Sequence, residues 1–378
     1  MKKRIYISIV FIVLAVNCFQ AQEQEHLTTI YNSGFTQGAL SVWNHEKTTA
    51  AFYYPAETNY DNISIYCSIG KWANSKLYHD IYSNGQYVLP SFISIGIPIS
   101  NFMISVGYNN YYNARTHSTF PVTTTGDPDG TGETYSFESN TKLHTFFNSI
   151  KYEVNENFSL GILFGFDVFS ESSGSRNLGI SRDGFGYSFK TSFLWKPTSS
   201  LSLGFNYGFI SSIDYVIKHE PEIKMVIVDD VGGSLGGGTR MIDPTEGKVS
   251  FPLSYSVKVG YKVQPNVSFD LSLERENWDF YELDENSVFN LRFRSSFSIS
   301  EQIVLNVGYF TQNNPFWDKI VNSITISTRY KNLQYFSVGV DYLITDSIVL
   351  NLSVFDSNQL SGDKYGQTYF SSAISIEL

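Results

Sequence analysis

Residues 251–281 read FPLSYSVKVGYKVQPNVSFDLSLERENWDFY. From Phe251 to Val263 every odd position is apolar or aromatic: Phe251, Leu253, Tyr255, Val257, Val259, Tyr261 and Val263. Between them sit Pro252, Ser254, Ser256, Lys258, Gly260 and Lys262. After a break at Gln264-Pro265-Asn266 the alternation resumes with Val267, Phe269, Leu271 and Leu273, against Ser268, Asp270, Ser272 and Glu274. Side chains alternate between the two faces of a strand, so the stretch reads as a β-hairpin with one apolar and one polar face. In a soluble sandwich the apolar face is the core. In a membrane barrel it meets lipid, and the polar face lines the lumen. The period by itself leaves both open.

The same period-2 pattern recurs along the chain in segments of about ten residues, the length a tilted membrane strand needs. Strands are expected near 61–72, 87–97, 101–112, 140–153, 157–169, 184–196, 200–211, 249–263, 266–278, 287–299, 302–311, 335–344, 347–356 and 367–378. That is fourteen, an even number, as a bacterial outer-membrane barrel requires. Alternate joints are tight, at 98–100, 155–156, 197–199, 264–265, 300–301 and 345–346. The joints between them are long: 73–86, 113–139, 170–183, 212–248, 279–286, 312–334 and 357–366. Short turns at one end and long loops at the other are the asymmetry of outer-membrane barrels, with the long loops outside. The expected fold is therefore all-β: a transmembrane antiparallel β-barrel of about 14 strands, occupying 61–378, in the bacterial outer membrane. Residues 321–330 also alternate, but a fifteenth strand would break the even count, so they are placed in an outer loop.

The chain has 378 residues and opens MKKRIYISIVFIVLAVNCFQAQEQ. A basic start (Lys2, Lys3, Arg4), an apolar run from Ile5 to Val16 and the small residue Ala21 predict a secretory signal peptide over 1–21. Cys18 raises a lipoprotein alternative, weakened by Asn17 before it. Losing 1–21 removes three cations and no acidic residue, moving the net charge from −10 to −13. An acidic exported protein is a poor partner for nucleic acid. Cys67 would be the one remaining cysteine, which excludes an internal disulfide. No later segment is apolar enough for a membrane helix. The 30 Phe, 26 Tyr and 28 Gly suit a barrel with aromatic girdles.

A fourteen-stranded barrel has a lumen wide enough to need filling or to conduct. Residues 22–60, about 39 of them, are the right amount of chain for an N-terminal plug. At their end, Tyr54, Pro55 and Ala56 form either a rigid turn into the first strand or a hinge that opens the lumen; the fixed dihedral of Pro55 suits both. In the third strand, NFMISVGYNNYYN, Gly107, Asn109 and Asn110 interrupt the alternation, and glycine inside a strand often marks a bulge or bend. The polar face near the opening hairpin carries Lys258, Lys262, Asp270, Glu274, Glu276, Arg292 and Arg294. Buried charges persist when paired, so these residues are expected to fix plug and strands by pairing across the ladder. The sharper alternative sets Lys190, Lys258 or Arg292 against a ligand carboxylate. The apolar residues of 213–228 mark a capture surface or a cover on the barrel rim.

Four stretches carry a resemblance to a known family. GFTQGALSVWNHEKTTAAFYYPAE (34–57) looks like an N-terminal plug with a small-residue lead-in, although Tyr54 stands where the family's Asn-Pro-Ala signature has Asn. FGYSFKTSFLWKPTSSLSLGFNYGF (185–209), FPLSYSVKVGYKVQPNVSFDLSLERENWDF (251–280) and VLNVGYFTQNNP (304–315) follow in the same order. The chain resembles the FadL-type outer-membrane transporters of long-chain fatty acids and other hydrophobic compounds. The resemblance implies passive uptake of a hydrophobic small molecule without a cofactor, and sideways release at a kinked third strand. It implies as partners the ligand and outer-membrane lipid and lipopolysaccharide, around a monomer. A sister group, the PorV-like secretion-system components, keeps a docking role open.

Enzyme readings find no support. The six His are scattered without metal-ligand spacing, and VGGSLGGGTR (231–240) lacks the Lys-Ser/Thr of a phosphate loop. A barrel phospholipase needs a Ser/His pair on the outer face. His144 with Asn148 is the one candidate, and it has no identifiable serine.

Overall fold

The computed structural model of the chain describes residues 49–59, 61–78, 81–83, 89–121, 134–175, 178–220, 225–226, 239–240, 246–249, 251–277, 287–313, 320–321, 324–325, 332–357, 360 and 367–378. The expected signal peptide (1–21), the first part of the expected plug (22–48), Trp278, expected as an anchor at the outer membrane interface, and most of 231–240 lie outside these residues.

Fourteen long strands form one sheet. They are β1 (Ser64–Tyr78), β2 (Leu89–Ile99), β3 (Phe102–Pro121), β4 (Thr134–Asn155), β5 (Phe158–Ser175), β6 (Leu178–Trp195) and β7 (Leu201–Ile210). The second half comprises β8 (Leu253–Gln264), β9 (Val267–Asn277), β10 (Ser287–Ser298), β11 (Ile303–Asn313), β12 (Asn332–Thr345), β13 (Ile348–Asp356) and β14 (Gln367–Glu377). Each strand pairs antiparallel with its neighbours in the chain, and β14 returns to β1, from Ser64 opposite Glu377 to Ser75 opposite Gln367. Closure removes every sheet edge, which a barrel in hydrocarbon must do because no water is there to satisfy an open edge. The opening hairpin is β8–β9, with Val257 opposite Leu273 and Lys258 opposite Ser272.

Burial settles which way the faces point. On β8, Ser256, Lys258 and Gly260 are buried while Val257, Val259 and Tyr261 are exposed. On β5, Leu163 is fully buried and its neighbour Phe164 is 62% exposed. Ile93, Ile95 and Ile97 on β2, Phe185 and Tyr187 on β6, Leu271 and Leu273 on β9, and Leu352 and Val354 on β13 are exposed in the same way. The apolar face is thus the outside, around the whole barrel. A soluble monomer does not present a continuous apolar belt to water, so this belt is the lipid-facing surface.

The tight joints fall where the alternation breaks, at Ser100-Asn101, Glu156-Asn157, Pro265-Asn266 and Asp346-Ser347. The connections at the other end differ from expectation. The joints at 113–139 and 170–183 are largely ladder: β3 and β4 stay paired to Pro121 opposite Thr134, and β5 and β6 to Ser175 opposite Leu178. Part of 212–248 is also sheet, with Ile213–Glu220 running beside β6 and pairing with Glu246–Val249. The reason lies in the solvent. Beyond the lipid belt both faces of a strand meet water, so stretches such as Ser170-Glu171-Ser172-Ser173 lose the period that announces a strand. Within 321–330, Ile324–Thr325 pairs with Ile320–Val321 apart from the barrel sheet, and the even count stands.

Two further expectations are corrected. Phe251 does not face lipid; it packs against Leu143, Phe169, Ile210 and Ile213, a cluster on the lumen side. It precedes β8, so the strand's alternation does not yet bind it. Lys262 is exposed beside the Pro265-Asn266 turn, too near the rim to be enclosed by the lumen.

Candidate functional site

Inside the barrel lies a short folded segment. Helix α1 (Ala50–Tyr53) leads through Tyr54 into one 3-10 turn, Pro55–Glu57. Proline at the first position suits that turn, since its missing N–H would go unused there. A four-residue helix is too short to persist by itself and relies on its surroundings. Residues 49–56 are all buried.

The wall grips this segment through specific atoms. The Ala56 amide donates to Ser192 Oγ at 2.8 Å, and Ser159 Oγ donates to the Ala56 carbonyl at 2.8 Å. Lys151 Nζ donates to the Thr58 carbonyl at 2.7 Å while pairing with Glu153. Lys258 Nζ bonds Glu57 Oε2 at 2.7 Å and lies 3.7 Å from Asp270 Oδ1, whose other oxygen accepts from Arg294 Nη2 at 2.9 Å. Gly161 makes the approach possible: a Cβ there would stand 2.2 Å from the Ala56 nitrogen and 2.6 Å from Pro55 Cβ. Any side chain at 161 would push the segment off the wall.

Aromatic packing completes the seat. Phe52 meets Phe147 edge-on with ring centres 5.1 Å apart, and Phe92 lies 5.6 Å from Phe147 and 5.8 Å from Tyr66. Lys190 Nζ sits 3.9 Å from the centre of the Phe52 ring and 5.3 Å from that of Tyr53, a cation–π arrangement in a desolvated place. Asn109 Nδ2 donates to Tyr53 Oη at 3.4 Å. Burial pushes the Tyr53 phenol far above its ordinary pKa, so it remains a neutral hydroxyl.

The residues singled out in the sequence are largely brought together. Tyr54, Pro55 and Ala56 are the segment the wall holds. Gly107 lies opposite Phe147 across the ladder, and a Cβ there would stand 2.6 Å from the Phe147 ring. Its bareness lets that ring reach Phe52. Asn109 touches Tyr53, and Asn110 begins a bulge, the register of β3 against β4 shifting between Asn110 and Tyr112. Of the three cations, Lys258 is paired with Glu57, Arg292 with Glu274, and Lys190 lies over the rings of α1. His144 Nδ1 lies 2.7 Å from Tyr108 Oη, with no serine in that contact.

Sequence reasoning missed Glu57, Phe92, Phe147, Lys151 and Gly161, because their roles depend on partners far along the chain. It also missed two features of the lumen. Above α1, towards the long connections, Leu143, Phe169, Ile210 and Ile213 form a second apolar cluster, with Tyr215 and Phe251 against it. Along β11–β14, Phe310 stacks on Tyr335 at 4.6 Å, Phe355 lies 6.1 Å from Phe310, and Tyr369 lies 6.0 Å from Phe355. The inner face is otherwise mostly Ser, Asn and paired charges. Among the described residues no group of three or more His, Cys, Asp or Glu is placed to hold a metal ion.

No protein-family model and no curated protein sequence matches this chain. Solved structures do match in fold. The toluene transporter TodX of P. putida aligns over 88% of this chain and 95% of its own, with a TM-score of 0.61 and 12% identity. A FadL homologue of Pseudomonas aeruginosa covers 94% of this chain and 99% of its own at TM-score 0.59 and 14% identity. CymD, a monoaromatic hydrocarbon channel, covers 87% and 92% at TM-score 0.56 and 12% identity. The chain therefore has the closed barrel fold of the FadL-type channels.

Proposed function

We propose that this chain is an outer-membrane channel for the passive uptake of hydrophobic small molecules. The observation that carries the reading is a pair of apolar clusters which, with the aromatic row along β11–β14, stand in a lumen that is otherwise mostly polar. One, around Phe169 and Ile213, lies towards the long connections; the other, around Phe52, Phe92 and Phe147, lies at the plug. Apolar side chains inside a barrel serve no purpose for water or ions, whereas a hydrophobic solute gains free energy from each one it touches. The fold match to channels named for toluene, monoaromatic hydrocarbons and a FadL homologue agrees with this reading. A docking component would be served by a sealed, wholly polar lumen.

In this reading 22–60 is the plug, and Tyr54, Pro55 and Ala56 are the part that must shift for a solute to pass. Gly107, Asn109 and Asn110 back it on β3. The ion pairs of Lys258 and Arg292 favour a plug-holding role for the lumen cations over a carboxylate-binding one, and Lys190 is assigned with them through its contact with Phe52 and Tyr53. The chain acts alone and carries no cofactor. Outer-membrane vesicles containing lipopolysaccharide, made with and without the protein, test the function. Labelled toluene and a labelled long-chain fatty acid are expected to enter faster when it is present. Equal entry of both would overturn the channel; entry of toluene alone would remove fatty acids from its range.

A further inference from the structure

The inward face of β5 reads, from the long-connection end downwards, Phe169, Asp167, Gly165, Leu163, Gly161 and Ser159, in steps of about 7 Å. Phe169 belongs to the upper apolar cluster, and Leu163 to the cluster at the plug. Asp167 lies between them, the one ionisable group on that face from Ser159 to Phe169, and it is 0% exposed. Its Oδ1 accepts from Thr145 Oγ1 at 2.5 Å and from Ser188 Oγ at 3.5 Å. Its Oδ2 has no hydrogen-bond partner among the described residues. Two glycines flank it: Thr145 and Ser188 lean over Gly165, and Ile213 leans over Gly186, the residue opposite Asp167 on β6.

A fully buried carboxyl oxygen without a partner is costly, and such groups are ordinarily paired. Here one oxygen is fixed by two hydroxyls while the other is left over, at the step between the two apolar clusters. We propose that Asp167 is the polar anchor of a ligand subsite, and that the hydrophobic compounds this channel takes carry a hydroxyl, as phenols and alcohols do. The proposal rests on the channel reading above and narrows its substrate class. A hydroxyl both donates and accepts, so it satisfies Oδ2 whether or not the carboxyl holds its proton. A pure hydrocarbon leaves the oxygen unpaired. A carboxylate sets a second anion beside it. The apolar body of the ligand lies against Leu143, Phe169 and Ile213, displacing their mutual contacts. A site that hydrogen-bonds a substrate hydroxyl rejects the analogue lacking it far more sharply than an apolar pocket rejects a methyl group.

The test uses three probes that share one methylated ring: p-cresol, toluene and p-toluate. Their entry is measured in the same vesicles, with entry into protein-free vesicles subtracted. The full chain is expected to favour p-cresol over toluene by about tenfold, the ratio one charge-assisted hydrogen bond supplies, with p-toluate slowest. Asp167→Leu is expected to bring the p-cresol rate down to the toluene rate measured with the same variant. Asp167→Asn keeps the Thr145 contact and is expected to lower the preference with the barrel intact. Folding of each variant is checked by the heat-dependent gel shift of the closed barrel. If Asp167→Leu does not assemble, Asp167→Asn decides, and an unchanged preference there overturns the proposal. So does p-toluate entering faster than p-cresol, or an equal preference in wild type and variants. Toluene entry with no preference sinks this inference alone. Entry of none of the three sinks the channel reading with it.

Discussion

The two faces of β9 obey different rules. Leu271 and Leu273 point outward and meet whatever surrounds the barrel, and their neighbours around the belt are apolar too. Asp270 and Glu274 point inward, each to a named partner: Asp270 to Arg294 and Lys258, Glu274 to Arg292. The outer face is specified by a solvent and tolerates any apolar residue of fitting size. The inner face is specified residue by residue. Positions one apart in sequence therefore differ in what a substitution does to them.

The strongest way to break that contrast is Lys258→Met. It strands Glu57, and removing one partner of a buried ion pair typically destabilises by about 3–5 kcal/mol. Urea titration of the barrel in lipid should show the loss, and Lys258→Met combined with Glu57→Leu should recover most of it. A single-variant loss under about 1 kcal/mol would mean the inner pair is no more specific than the outer belt.

Leu271→Arg tests the outer face. In lipid an outward Arg near the middle of the belt costs about 2–4 kcal/mol; in water the same exposed substitution is nearly neutral. Unfolding in lipid should show the full penalty, and a neutral result would deny that the belt faces hydrocarbon.

Gly161→Val acts through space alone. Its Cβ would overlap the Ala56 nitrogen, so the buried segment around Ala56 must shift, with about 1–3 kcal/mol of strain. A cysteine introduced at Ala51 should become accessible to a water-soluble thiol reagent in this background and remain protected otherwise. Protection in both would show that the seat yields more than its geometry suggests.

Tyr53→Phe should have the smallest effect. It removes the long bond to Asn109 and keeps the ring beside Lys190, so stability should fall by no more than about 1 kcal/mol. A larger loss would place the hydroxyl at the centre of the attachment of α1 to the wall.

Much of the architecture was legible beforehand because lipid imposes a simple code. All fourteen strands, their tight joints and their even count follow from the period of residues such as Val257, Val259, Leu271 and Leu273. The upper extensions of β3 to β6 were not legible. Asn113-Ala114-Arg115-Thr116 on β3 carries no alternation to read. At the site, the turn at Tyr54, Pro55 and Ala56 was found because proline punctuates the chain. Gly161 and Asp167 were not, because nothing local sets them apart from other residues of a β-strand.

What the sequence determined by itself is the sheet: strand number, antiparallel order, and a two-faced wall. These depend on each residue's relation to its immediate neighbours and to solvent, which a linear pattern records. Which lysine met Glu57, which glycine admitted Ala56 and which oxygen of Asp167 has no hydrogen-bond partner among the described residues were decided only by closure. Closure brings residues 57 and 258, or 56 and 192, within hydrogen-bond distance across more than a hundred positions, and no period along the chain encodes such a meeting.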